Sequence, residues 1–141
     1  MSKKQVFLCD IDGTIASAEG VRNIYDESLV SKDKPLPTVT LIKVLAHLSF
    51  TIVFVSGRTD KCKKDTLDWI REWTGITEPE IYMRKSGDRR SDVEIKKEIY
   101  ENEIFPKYEV YAIFDDRLSV CRMWYELGLF VFNCNQGLKE F

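Results

Sequence analysis

The stretch Val6-Phe7-Leu8-Cys9-Asp10-Ile11-Asp12-Gly13-Thr14 decides the fold. Four apolar residues run without alternation, as in a parallel strand buried on both faces. The run stops at two carboxylates one residue apart, then Gly and Thr. A strand ending near Cys9 places Asp10, Asp12 and Thr14 at its carboxyl edge, where open α/β sheets hold their chemistry. Read alone, the stretch also fits two turn formers ahead of a glycine. The rest of the chain separates these readings.

With 141 residues, 44% of them hydrophobic and 31% charged, the chain is expected to form a single domain, residues 1–141. Its net charge of −2 does not announce a nucleic-acid binder. A local cluster of arginines acts within a Debye length whatever the total. Cys9, Cys62, Cys121 and Cys134 form no CxxC pair, and with the lone His47 they make no zinc-type ligand set. Free thiols in a reducing cytoplasm are expected, as is a soluble protein without signal peptide or membrane span.

Beyond the first strand, Ile15 to Lys34 is polar and irregular and reads as a long loop or flap over the site. Pro35 and Pro37 open a helix with the apolar stripe Val39, Leu41, Ile42, Leu45 and Leu48, and His47 near its surface end. Thr51–Val55 is a second buried strand ending in Ser56-Gly57-Arg58. A helix from about Asp60 to Thr74, closed by Gly75, carries Trp69 and Trp73, both expected in the core. Glu80–Met83 is a third strand leading into the basic loop Arg84-Lys85-Ser86-Gly87-Asp88-Arg89-Arg90. Ser91 and Glu94 form a capping box, and the helix they start carries Asp92 and Lys96 on one face. Glu109–Phe114 is a fourth strand ending in Asp115-Asp116-Arg117. A helix from Ser119 stopped by Gly128 and a fifth strand, Leu129–Phe132, complete the chain. The alternation predicts an α/β fold: a three-layer, doubly wound parallel sheet of about five strands.

Asp10/Asp12, Ser56, Lys96 and Asp115/Asp116 then fall on one predicted edge. Carboxylates from two strands make a hard-oxygen site suited to Mg²⁺. A hydroxyl and an ammonium suit the oxygens of a phosphoryl group. Carboxylates gathered without a cation would raise one another's pKa values.

In these four motifs the chain resembles the haloacid dehalogenase-type (HAD) phosphohydrolase superfamily, with its Rossmannoid sheet. Over nearly its whole length it is similar to the 3′-phosphatase domain of phage-type polynucleotide kinase/phosphatases. The matching residues are Val55-Ser56-Gly57-Arg58, Gly87-Asp88 followed by Arg90 and Asp92, Lys96 with Glu98-Ile99, Asp115-Asp116-Arg117, Met123-Trp124 and Gly128. Where that family has a Gly-Arg pair after the first motif, Val21 intervenes here between Gly20 and Arg22, and Tyr25-Asp26 supports the placement. The kinase loop GxxxxGK[ST] is absent from the sequence, so the expectation is a free-standing phosphatase, or a phosphatase whose kinase or ligase partner activities lie on other chains.

The resemblance implies a Mg²⁺-dependent phosphomonoesterase that removes 3′-phosphates from DNA or RNA ends in nucleic-acid repair. Asp10 is the expected nucleophile and metal ligand, forming an aspartyl-phosphate. Asp12 is the expected proton carrier, reaching the metal through its backbone carbonyl. Asp115 and Asp116 complete the metal site, with the direct ligand left open between them. Ser56 and Lys96 hold phosphate oxygens, and Asp92 orients Lys96. Thr14, Arg22, Gly57, Arg58, Arg84 and Arg117 join the expected substrate contacts. Once strands and helices are assigned, only residues 15–34 are left over, too few for a large cap domain, and an uncapped site admits a polymer end. Arg22, Arg58, Arg84, Arg89, Arg90 and Arg117, six of the 21 basic residues, fall in loops at this edge, where a guanidinium fork suits phosphate. The alternative substrate classes are mononucleotides and phosphoproteins. A receiver-like signalling domain shares the small sheet and Asp cluster but orders its Asp, Ser/Thr and Lys differently. An inactive binding module would not be expected to keep every catalytic residue type.

Overall fold

The computed structural model describes residues 2–137 and 139–141. Its strands are β1 (Lys4–Cys9), β2 (Ala16–Ser17), β3 (Lys34–Pro35), β4 (Thr51–Thr59), β5 (Glu80–Arg84), β6 (Tyr108–Asp115) and β7 (Val131–Asn133). Its α-helices are α1 (Thr38–His47), α2 (Lys63–Thr74), α3 (Asp92–Ile99) and α4 (Leu118–Glu126). Five strands form one sheet in the order β5-β4-β1-β6-β7, and every neighbouring pair is parallel. The opening stretch is the central strand, as its unbroken hydrophobicity predicts.

Alternation along β1 divides the core. Phe7 and Cys9 pack with Val39 and Ile42 of α1 and Trp69 and Ile70 of α2. Val6 and Leu8 pack with Val120, Met123 and Trp124 of α4, alongside Val93 and Ile99 of α3. Strand order and helix placement bring the carboxyl ends of β1, β4 and β6 together with the first turns of α3 and α4.

Several local expectations are corrected. The helix after the prolines starts at Thr38, because Pro35 is taken up by β3, which pairs antiparallel with β2. Its buried stripe is narrower than expected: Val39 and Ile42 are buried, while Leu41 and Leu48 are exposed. Trp69 is buried but Trp73, one turn further on, reaches the surface. A short 3₁₀ turn (Asp60–Cys62) precedes α2, and Gly75 closes α2 in the left-handed conformation at φ 76°. The last strand begins at Val131, not Leu129. β4 runs on through Ser56-Gly57-Arg58, because its register against β5 shifts between Ser56 and Thr59 and bulges there.

Residues 15–34 are not a free flap. Besides β2 the segment holds a 3₁₀ helix (Glu27–Lys32), and Ile15, Ala16, Val30 and Asp33 are buried. No large cap stands over the carboxyl edge among the described residues, and no helix there is long and apolar enough to cross a membrane. All four cysteines are free thiols.

Candidate active site

Two charge clusters meet at the carboxyl edge. The first gathers Asp10 after β1, Asp115 at the end of β6 and Asp116 beyond it. One carboxylate oxygen from each lies within 4.8 Å of the others. Lys96, projecting from α3, donates to Asp10 Oδ1 at 2.8 Å and to Asp115 Oδ2 at 3.0 Å. Thr14 donates to Asp10 Oδ2 at 2.9 Å, and its hydroxyl lies 3.4 Å from Asp116 Oδ1. Asp115 is further bound by the Trp124 indole N–H at 3.2 Å and by the Arg117 amide at 3.2 Å.

Burial pushes the Asp10 carboxyl well above the ordinary carboxylate range, and the charge of Asp115 adds to the rise. Burial raises Asp116 as well. Burial alone would drive the Lys96 ammonium down, but Asp10 and Asp115 outweigh it and keep the group charged. Three carboxylates face one ammonium, so a cluster with all its acids ionised is short by two positive charges. A divalent cation with oxygen preference fits both that deficit and the donor set.

The second cluster is balanced. Arg58, on the β4 bulge, grips Asp12 with Nε (3.0 Å) and Nη2 (2.8 Å). It also donates to Asp33 at 2.8 Å and to Thr66 at 3.0 Å. Arg22 binds Asp33 through Nε (2.8 Å) and Nη2 (3.0 Å) and touches Asp12 at 3.2 Å. Two guanidinium groups therefore share two carboxylates. The side chain of Asp33 is fully buried, whereas that of Asp12 is 32% exposed and faces the cleft. Hydrogen bonding to Asp33 raises Arg22, and Asp12 raises Arg58 against the opposing effect of burial.

Glycine is required where the backbone passes these groups. A Cβ on Gly13, at φ +79°, would lie 2.0 Å from Asp116 Oδ2. A Cβ on Gly57 would lie 2.6 Å from Asp92 Oδ1. Ser56 is buried, and its Oγ accepts the Arg58 amide at 3.1 Å, leaving its own proton free to donate.

The sequence-predicted residues divide accordingly. Asp10, Thr14, Lys96, Asp115 and Asp116 form the acidic cluster, and Asp12, Arg22 and Arg58 form the balanced one beside it. The expectation that Asp92 orients Lys96 is corrected. Their i, i+4 spacing puts them on one helix face, but Asp92 bonds Arg84 at 2.6 Å and Arg117 at 3.2 Å while Lys96 reaches inward. Arg84 is bound up by the carbonyls of Gly57, Asp88 and Arg90 as well as by Asp92, so it braces the loop. Arg117 lies 38% exposed at the mouth, its guanidinium over the Phe141 ring. Arg90 pairs with Asp88 and Glu98 on the surface, and Arg89 is exposed.

Asp33 was not singled out in the sequence, where it sits inside the charged run Ser31-Lys32-Asp33-Lys34. The available signal was indirect: two arginines converging on one aspartate need a second counter-charge. Trp124, matched only as part of Met123-Trp124, proves to hold Asp115.

Comparison with known proteins places these clusters in context. A family model described as the polynucleotide kinase PNKP phosphatase domain matches residues 4–138. A protein of Autographa californica nuclear polyhedrosis virus, named bifunctional polynucleotide kinase/RNA ligase, is 39% identical over 138 residues, covering 95% of this chain and 20% of that protein. A chain from the Pnkp1/Rnl/Hen1 RNA repair complex superposes with a TM-score of 0.87 at 31% identity, over 97% of this chain and 44% of its own. A second structure of that complex gives 0.87 at 32% identity, over 97% and 48%. The class C acid phosphatase from Bacillus anthracis, with a TM-score of 0.69 at 14% identity over 99% of this chain and 70% of its own, shares the fold alone. The chain thus spans a fifth of the viral relative and under half of the repair-complex chains.

Two predictions follow from the charge pattern. Asp33→Ala leaves two buried guanidinium groups short of a partner, so it should destabilise the protein by about 3–5 kcal/mol. If enough folded protein remains, turnover should fall about 100-fold through misplacement of Asp12; thermal melts and steady-state rates read the two effects. The second concerns pH. A carboxyl raised on folding favours the fold below its unfolded value of about 4, and that contribution is lost as pH rises through the raised value. Asp116→Asn should therefore raise Tm in chelator at pH 7, by about 4 °C per kcal/mol recovered. The gain should disappear below about pH 4.

Proposed function

The chain belongs to the polynucleotide kinase PNKP phosphatase domain family, a HAD-type phosphatase group, and on that premise we propose that it removes 3′-phosphates from nucleic-acid ends in a Mg²⁺-dependent reaction. The observation that carries this reading is the division of charge at the sheet edge. One cluster lacks two positive charges, as a metal–phosphate site requires, and the balanced cluster beside it holds a single half-exposed carboxyl, Asp12.

Asp10 is the nucleophile in this scheme. Lys96 and Thr14 each hold one of its oxygens, which fixes the carboxylate plane before attack. A carboxylate oxygen bonds to phosphorus as the bond to the leaving oxygen breaks, giving an aspartyl-phosphate. Asp12, clamped by Arg22 and Arg58, gives a proton to the leaving oxygen. In the second step it takes a proton from the water that attacks phosphorus and releases Asp10. Lys96 and the free hydroxyl proton of Ser56 stabilise the developing phosphoryl charge. Mg²⁺, held by Asp10 and Asp116, would neutralise phosphate oxygens beside the carboxylates. Asp116 is the better direct ligand, because Asp115 already accepts from Lys96, Trp124 and the Arg117 amide.

The substrate reading draws on the relatives. The viral protein is named as a kinase and RNA ligase, and the repair-complex chains belong to an RNA repair assembly. A strand end, RNA as well as DNA, is the proposed substrate, with kinase and ligase activities as working partners and the cytoplasm as the compartment. The uncapped edge and the Arg117 side chain at its mouth support entry of a polymer.

A phosphate-release assay tests this. Strands bearing a 3′-phosphate, as DNA and as RNA, should be hydrolysed with Mg²⁺ and not with chelator, and rates should fall as salt rises. Preference for 5′-phosphorylated DNA or a mononucleotide would overturn the 3′-end reading. Asp10→Asn should abolish turnover, and Asp12→Asn should lower it by about 10²–10⁴-fold. Near-normal turnover by Asp10→Asn would exclude the covalent route.

A further inference from the structure

Arg22 does more than hold Asp12. Its third nitrogen, Nη1, donates to the carbonyls of Ile24 (2.9 Å), Asn23 (3.3 Å) and Asp26 (3.4 Å). The same guanidinium that meets Asp12 at 3.2 Å thus folds the peptide on either side of Tyr25 around itself. The Asn23 side chain accepts the Tyr25 amide at 2.8 Å, and Asp26 caps the following 3₁₀ helix. At the tip of this braced turn Tyr25 is 89% exposed and Ile24 is 56% exposed. Scattered apolar side chains on a surface are ordinary. An exposed aromatic residue on a turn whose backbone is held by the guanidinium that also meets the proposed proton carrier is a more specific arrangement.

We infer that Tyr25, flanked by Ile24, is the stacking platform for the base of the 3′-terminal nucleotide. The inference rests on the 3′-phosphatase reading and specifies how that site recognises a nucleoside. If Asp12 protonates the leaving oxygen, that oxygen is O3′ of the terminal sugar. The sugar then lies against Asp12, and its base is assigned to the neighbouring turn of residues 23–26, which the same guanidinium holds. Every base has a π-face, so a tyrosine there accepts any sequence. Two side-chain torsions make it a low-entropy contact surface. Arg22 sets the position of acid and platform together, so the distance between the reacting oxygen and the base is built into one side chain.

The test compares two 3′-phosphorylated strands that differ only at the last nucleotide, one with a normal base and one abasic. Wild-type protein should favour the base-bearing end through KM. Tyr25→Ala should raise KM for that end by about 10- to 100-fold, with kcat nearly unchanged, and so erase the preference. Tyr25→Phe and Tyr25→Trp should restore it. A wild type active on both ends but indifferent to the base overturns the assignment, as does a Tyr25→Ala defect equal on both ends, which would make Tyr25 a support for the loop. A wild type that hydrolyses neither end would instead defeat the 3′-phosphatase reading itself. Loss of affinity can be checked without turnover: in Asp10→Asn, a fluorescent 2-aminopurine at the strand terminus should be quenched on binding, and adding Tyr25→Ala should relieve the quenching.

Discussion

Lys96 brings one positive charge to a place where three carboxylates meet, and the geometry of the whole edge follows from that shortfall. Asp10 follows the central strand, Asp115 and Asp116 lie at and beyond the end of its neighbour, and Lys96 comes from α3. None of these positions favours folding alone, since burying a carboxylate without a partner is costly. The hydrophobic sheet forces them together: Val6, Leu8, Val53, Val55 and Ile113 are all buried, so the strand ends cannot separate to relieve repulsion. Packing energy from the core thus holds a charge arrangement that would otherwise disperse. On the proposed function this repulsion would become affinity for a divalent ion.

The second cluster solves a different problem with the same materials. Asp12 is partly exposed and still keeps a fixed orientation. Arg22 and Arg58 provide it, and Asp33 lets both guanidinium groups be buried by supplying the second negative charge. The backbone carbonyl of Asp33 also accepts the Trp69 indole N–H at 2.9 Å, which ties the cluster to the core of α2. Positioning of Asp12 is therefore coupled to Trp69 of α2 through one buried aspartate, Asp33.

Most of the sheet was legible because its signal is local. Runs such as Val6–Cys9 and Ile52–Val55 cannot be exposed on either face, and each is followed by the polar residues it presents. The capping box of Ser91 and Glu94 and the left-handed Gly75 were equally plain. What escaped was everything decided by pairing across distance. Asp33 looks like Lys32 and Lys34 in a charged run until Arg22 and Arg58 converge on it. The i, i+4 relation of Asp92 and Lys96 is real, but helix spacing does not say that one turns to Arg84 and the other to Asp10. Arg84 has the composition of a phosphate contact and the bonding of a brace, since three backbone carbonyls and a carboxylate occupy it.

The segment over the site shows why this edge should be read as open. A closing lid must have a low-stability state to move from, with few buried groups and little internal bonding. Residues 15–34 have the opposite character: Ile15 and Val30 are wholly buried, β2 is paired with β3, and Arg22 makes six hydrogen bonds within the segment and to Asp12. Opening it would expose two guanidinium groups and break the clamp on Asp12. Selectivity in this small domain therefore cannot come from closure around the substrate. On the proposed function it would come from fixed groups on the rim, with Arg117 and the exposed tip at Ile24 and Tyr25 as the proposed contacts to a strand end.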